Sequence, residues 1–559
     1  MKKTAKYFLF ILLLSLLSSC KIMKQADWLF YDGKIYTANE NNEVVSAMAI
    51  KGDKIIDLGD SDTLLKKWQA KEKINLQGTT IIPGIIDSHC HLIGYSTQME
   101  PIDLTGGRGV DEMVERIQIY LKQHPDMKFI YGRGWDQNLF PNMQMPNNKL
   151  LNKYFPDVPV YLKRVDGHAA LANDAALRIA NITKETNIEN GIIEKINNEL
   201  TGILIDNAMT LVEKYIPPLP VSAKISSLLK LQEQAFQYGI TSINEAGINY
   251  NEIQLLDSLQ KINKWKLRVF GMLTLNNENI NKILTQGIYN NDKIIVRSVK
   301  LYADGALGSR GAYLLEPYSD DSNNKGMFLL NETEFDSIAQ LCIAHNYQLA
   351  THAIGDAAVR TMINWYSKYL DNNNDLRWRI EHCQVINPND IQKFGQYKII
   401  PSVQPIHAIE DMEWAKSRLG DRIENAYKYK DLFLQNNIIA IGSDFPVSPL
   451  NPFINFCAAV YRQNISAYPT DGFQSSQALT KEVALRGMTY YGAYANFLEK
   501  QLGSIEIDKK ADFVIINNDI MNATQQELGN TYSIATFIDG EMVFSLKGNK
   551  ILKKKINLW

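Results

Sequence analysis

Cysteine is sparse in this chain. There are five in 559 residues, with no C-x-x-C spacing, which excludes a disulfide framework even in an oxidising compartment. A surplus of one charge is missing too. Lys plus Arg number 59 against 61 Asp plus Glu, a net charge of -2. With no sustained basic patch, nucleic acid is excluded as a partner, and Lys553 to Lys555 read as a solvated tail. Histidine occurs only eight times, so each can be weighed singly. The apolar run YFLFILLLSLL is too short to span a bilayer comfortably.

What is present begins with that run. Lys2, Lys3 and Lys6 precede it and Leu17-Ser18-Ser19-Cys20 follow, the layout of a signal peptide over residues 1–19. Cys after Leu-Ser-Ser resembles a bacterial lipobox, in which Cys20 becomes the lipidated first residue of the mature chain. Lys21 rather than Asp after it, by resemblance to enterobacterial lipoprotein sorting, implies the outer membrane. The expected location is therefore the bacterial cell envelope, lipid-anchored and facing the periplasm. Cys90, Cys342, Cys383 and Cys457 read as small buried residues. With 45% hydrophobic and 21% charged residues, the rest suits a soluble enzyme of one large domain and one small.

Short alternating segments broken by DG and GD turns fill Asp27 to Thr80, and similar ones return at GSIEIDKKADFVIIN and IATFIDGEMVFS. Residues 24–82 and 503–559 are thus expected to form one composite β-sandwich. The centre, 83–502, alternates strand and helix. TIIPGIIDSHCH is followed by GITSINEAG (239–247), KLRVFGMLT (266–274), IIVRSVKLYADG (294–305), YQLATHAIGD (347–356), RWRIEHCQV (377–385), KIIPSVQP (398–405) and IIAIGSDFPV (438–447). Helical patterns such as 223–239, 335–346 and 357–370 separate most of them. Eight such strands predict an α/β fold, a TIM (β/α)8 barrel whose strand C-termini carry the active site. His89, His91, Lys300, His352, His382 and Asp444 stand at those ends. In PGIIDSHCH the alternation of a strand puts His89 and His91 on one face and Cys90 on the other, a pair suited to a divalent transition metal.

PGIIDSHCH, VKLYADGALGSR, THAIGD, RIEHCQV, SVQPIH and IGSDFPV, in this order, resemble the amidohydrolase superfamily, in particular its N-substituted formamide deformylase-like branch. The resemblance covers about Trp28 to Ser545 and implies a divalent-metal hydrolase, usually with one or two zinc ions. By position, His89 and His91 would bind a first metal, His352 and His382 a second, and Asp444 the first metal and the reaction's protons. Lys300 would bridge both as an N6-carboxylated lysine. Its physical case is that a bare buried ammonium facing cations is both desolvated and repelled; unmodified, it would pair with Asp304 or turn outward. Asp444 ends an apolar run, where an unpaired carboxylate is costly.

His168 and His407 match family positions near the substrate, where they would polarise a carbonyl or hold an oxyanion. His124 and His345 read as surface groups. Between His91 and Gly239 lies an insertion, about 100–222, long for a βα connection and expected to cover the barrel mouth. Arg133, Trp135 and Asp136 are its candidate substrate residues. Asp206 and the Asn244-Glu245 pair depart from the family pattern.

The expected reaction is metal-assisted hydrolysis of a non-peptide C–N bond in a small amide or N-acyl substrate, with Asp444 as proton shuttle. Hydrolysis of a C–O or P–O bond on the same metals is the enzymatic alternative, and a non-catalytic solute- or metal-binding lipoprotein the other. A homodimer is left open.

Overall fold

The computed structural model describes residues 23–97, 101–548 and 551. The signal segment, Cys20 and the Lys553 to Lys555 tail lie outside the described residues.

Eight parallel strands form the central sheet in sequence order: β1 (Ile85–Cys90), β2 (Ile240–Ile248), β3 (Arg268–Thr274), β4 (Ile294–Tyr302), β5 (Gln348–Ala353), β6 (Arg379–His382), β7 (Ile400–Val403) and β8 (Ala440–Ile441). Parallel strands covered by helices are buried on both faces, and β1, β5, β6 and β7 are buried at every position. The sheet is a nearly closed barrel. No ladder joins β8 to β1, but His91 N–H donates to Phe445 O at 2.7 Å and Asp444 N–H to His89 O at 2.7 Å. Glycine makes that approach possible: a Cβ on Gly442 would stand 2.3 Å from the His89 nitrogen. The helices expected from the pattern are Val221–Gln237, Glu332–Ala344 and Asp356–Tyr366. The second begins where the Asn331 side chain accepts the Thr333 and Glu334 amides.

The chain ends build two further sheets, the first from N-terminal strands alone and the second from both ends. One is ordered Lys54–Gly59, Ala47–Lys51, Lys24–Tyr31, Trp68–Asn75; the other is Glu541–Ser545, Ser533–Ile538, Phe513–Ile516, Thr80–Pro83, Lys34–Tyr36, Val44–Val45. Phe30, Met48 and Ile50 of the first share an apolar cluster with Phe513, Ala535 and Phe537 of the second, and Phe513 and Phe537 stack at 4.4 Å. Only Gly84 separates Thr80–Pro83 from β1, so the strand that carries His89 continues out of this body.

The insertion holds a sheet of its own, ordered Gly191–Ile196, Glu199–Asp206, Ala169–Ala172, Val160–Arg164, Ile130–Trp135, Ile102–Asp103. Separate apolar clusters back it. Cys90, Cys342, Cys383 and Cys457 are free and buried.

Candidate metal centre

Asp444 is the hub. It follows β8 in a left-handed conformation, φ 58°, uncommon for a residue with a Cβ. Asp87 pins the preceding turn, accepting the Ser443 amide at 2.9 Å and its hydroxyl at 2.5 Å. Asp444 Oδ1 then lies 3.3 Å from His91 Nε2 and 3.5 Å from His89 Nε2, and Oδ2 lies 3.8 Å from His407 Nε2 and 4.0 Å from His382 Nδ1. His382 and Cys383 also have positive φ, 71° and 49°. The break turns His382 inward although Glu381 before it already faces the barrel interior. Strained backbone at three strand-end positions is what a site fixed by its surroundings looks like.

Two ligand trios result: His89, His91 and Asp444, and His382, His407 and Asp444. The first is the one expected. In the second, His407 stands where His352 and Lys300 were expected. His352 Nε2 is instead 3.5 Å from Asp304 Oδ1 and from Gly305 O, though its ring is 4.5 Å from that of His382. Lys300 is buried, with Nζ 3.4 Å from His89 Nε2 and 4.9 Å from the Tyr302 ring. Among the described residues no carboxylate forms an ion pair with it. Asp304, the partner it was weighed against, instead accepts backbone N–H from Tyr313, Ile354 and Gly355.

These groups suit a divalent cation. His382 Nδ1, His407 Nε2 and Asp444 Oδ1 are buried without a hydrogen-bond partner, a costly state for a polar atom, and imidazole with carboxylate is a zinc-type donor set. Burial holds His352 and His382 well below the usual imidazole range and lowers His89 to about 4, with Lys300 adding to the effect. They are neutral, as ligands must be. Burial opposes the charge on Asp444, but the His91 contact and the nearby rings hold it well below the usual carboxylate range. Burial also lowers Lys300, to about 8.

Glu381 was not singled out from the sequence. Its Oε2 is 2.5 Å from His89 Nδ1, leaving Nε2 to face Asp444, and Arg379 holds the carboxylate from behind at 2.7 Å. A signal existed: in RIEH, Arg379 and Glu381 are two residues apart and so share the interior face of β6. Glu245 and Asn244 also have definite work. Glu245 accepts the Ile93 and Gly94 amides, both at 2.8 Å, and Asn244 exchanges amide hydrogen bonds with Asn496.

The insertion residues divide. Trp135 is fully buried in the insertion's own core, its indole donating to Leu162 O at 2.7 Å. Asp136 pairs with Arg164, and Arg133 donates to Val165 O at 3.1 Å. His168 reaches the barrel: its ring centroid is 5.0 Å from that of His352. His124 is exposed and stacks on Tyr120, and His345 is half-buried at a helix end.

Comparison with known proteins gives the family. The amidohydrolase family profile matches residues 72–544. "Protein LONG AFTER FAR-RED 3" of Arabidopsis thaliana is 30% identical over 93% of this chain and 92% of its own length. The "Putative amidohydrolase YtcJ" of Bacillus subtilis (strain 168) is 27% identical, covering 92% of this chain and 99% of that protein. N-substituted formamide deformylase of Arthrobacter pascens is 21% identical over 94% of this chain and 99% of its own. Among solved structures, an uncharacterized metal-dependent hydrolase from Pyrococcus horikoshii superposes with a TM-score of 0.72 at 27% identity, covering 89% of this chain and 99% of that one. The chain belongs to the amidohydrolase family.

Proposed function

We propose that this metal-dependent hydrolase cleaves a non-peptide C–N bond, an amide, N-acyl or N-formyl group of a small molecule. The observation that carries the reading is the convergence of His89, His91, His382 and His407 on the two oxygens of Asp444. Held there, one or two zinc ions would supply Lewis acidity and make water a nucleophile near neutral pH. Asp444, held charged, takes the proton from the attacking water and returns it to the leaving nitrogen. The amide bond assignment is supported by likeness to a protein named as a formamide deformylase. Lys300 is read as an N6-carboxylated bridge, because a carbamate replaces a buried cation by a two-oxygen anion. Arg133 and Asp136 are read as part of the substrate wall. The two sheets built from the chain ends are read as a small β-sandwich domain.

The test is metal analysis of the purified chain, with a substrate panel of N-acyl, N-formyl, lactone and phosphotriester compounds. Asp444→Asn should keep most of its metal and lose about 10²–10⁴-fold in turnover. Metal returned to apo-protein in CO₂-depleted buffer should restore activity slowly, and bicarbonate should speed it. Turnover confined to lactones or phosphotriesters would move the bond assignment to C–O or P–O. Metal without turnover of any compound would leave a binding protein.

The cell-envelope location is proposed on the Leu17-Ser18-Ser19-Cys20 motif. The mature N-terminal peptide from membranes should carry acyl mass on Cys20, and an unmodified Cys20 there would contradict the anchor.

A further inference from the structure

The insertion and the barrel meet at one acidic side chain that the hydrolase reading leaves without a role. Asp206 ends the strand Glu199–Asp206 with φ 50°. Its amide donates to His168 O at 3.0 Å, and its Oδ1 lies 2.8 Å from His168 Nδ1. One residue therefore holds His168 by backbone and by ring. The second oxygen, Oδ2, is buried and has no hydrogen-bond partner. It lies against the loop after β4, where a Cβ on Gly305 would stand 2.9 Å from it and one on Gly311 3.4 Å. The glycines of ADGALGSRG thus make room for a carboxylate from the insertion, which accounts for a motif that no metal ligand explains.

Because Nδ1 is occupied by Asp206, the free ring atom of His168 is Nε2, on the opposite edge of the imidazole. The ring's neighbours are His352 at 5.0 Å and the half-exposed Tyr302 at 6.5 Å, both at the barrel mouth beside the candidate metal centre. We propose that Asp206 is a positioning residue, fixing His168 so that Nε2 hydrogen-bonds the substrate's carbonyl oxygen. The pair is an arm of the insertion that completes the site only when the glycine loop admits Asp206. Burial opposes charge on His168, but Asp206 and Asp166 outweigh it and raise its pKa, consistent with an Nε2 that donates. The inference rests on the hydrolase reading above and adds a substrate contact to it.

The test combines a readout that needs no substrate with one that does. In ¹⁵N-edited spectra of the full chain, His168, assigned by its loss in His168→Gln, should show a strongly hydrogen-bonded Nδ1 proton. Asp206→Asn should abolish that signature and Asp206→Glu should restore it. On whichever panel compound is turned over, Asp206→Asn should lower kcat by about 10²-fold with KM changed less than threefold, while bound metal is unchanged. Asp206→Glu should recover at least tenfold of the loss, and the Asp206→Asn/His168→Gln double variant should be no slower than His168→Gln alone. Gly305→Ala, which crowds the carboxylate, should resemble Asp206→Asn. Additive losses in the double variant, or a kcat for Asp206→Asn within twofold of the natural chain, would overturn the proposal. So would a His168 signal that does not respond to Asp206. Failure to cleave any amide would instead strike the bond assignment, since the spectra are read without substrate.

Discussion

Glu381 sits behind the first metal trio and reaches it through His89. Its carboxylate is shared between His89 and Arg379, both fully buried, and Arg379 also donates to Ser88 O and the Ser402 hydroxyl at 2.7 Å each. Burial works against the charge, yet Arg379 and then His89 hold the Glu381 pKa well below the usual carboxylate range. The stability it contributes is thus full above the unfolded carboxyl pKa and is lost as pH falls. Glu381→Gln should lower metal affinity by about 10–100-fold, the usual loss when the partner that orients a ligand is removed. It should also cost about 3–5 kcal/mol, because Arg379 is left buried and uncompensated. Metal titration and urea unfolding measure the two effects, and a variant with natural affinity would show that β1 orients His89 without the carboxylate. At this scale the site was legible where chemistry is concentrated in rare residues: the sequence singles out His89, His91, His382 and Asp444, and the fold brings them within reach of one another. His407 as a member of the second trio was not legible, since strand alternation says nothing of a residue on the helix Pro405–Asp411 that follows β7. Trp135 shows the same gap from the other side, because a motif match does not tell whether an indole faces a cleft or a core.

Among the elements, β2 carries the pair that departs from the family pattern, and its chemistry is structural. Glu245 accepts two amides at the start of the short helix Leu92–Thr97, tying β2 to the segment just after His91. Burial outweighs those hydrogen bonds and raises Glu245 to about 8. A raised carboxyl holds a proton in the folded state that the unfolded chain has released. Its stabilising contribution is therefore complete below the unfolded value near 4.5 and declines as pH rises through about 8. Glu245→Gln, which keeps a carbonyl acceptor, should flatten the fall of apo-protein stability between those limits by up to one proton, about 1.4 kcal/mol per pH unit. Denaturant unfolding across that range tests it, and parallel curves for the two proteins would rule it out. The eight barrel strands were legible because buried parallel strands read as short apolar runs between helices. The insertion's sheet was not, because it mixes pairings that no single pattern announces: Val160–Arg164 runs parallel to Ile130–Trp135 on one side and antiparallel to Ala169–Ala172 on the other.

For the whole molecule, the question is how the chain ends are held to the barrel. The alternating patterns at both ends marked them as β-structure, but not the ion pairs that join them to the barrel, since those partners lie hundreds of residues apart. Arg268, at the start of β3, is buried and reaches Asp512 at 2.6 Å, just before the strand Phe513–Ile516, and Asp539 at 2.5 Å, just after Ser533–Ile538. Asp539 keeps further cations in Lys293 and Lys510, whereas Asp512 is 5% exposed and has Arg268 as its ion-pair partner among the described residues. Arg268→Met should therefore cost about 3–5 kcal/mol, nearly all of it from the stranded Asp512 charge. If so, adding Asp512→Leu should return much of that loss, a coupling a double-mutant cycle reads directly. Because Thr80–Pro83 runs into β1 with one residue between, loosening this joint should reach the metal centre, so Arg268→Met should also release metal at a lower urea concentration than it unfolds. Equal stability of Arg268→Met and the natural chain, or metal release that tracks global unfolding in both, would show that the apolar contacts of the two bodies suffice to join them and that the ion pairs add only specificity of docking.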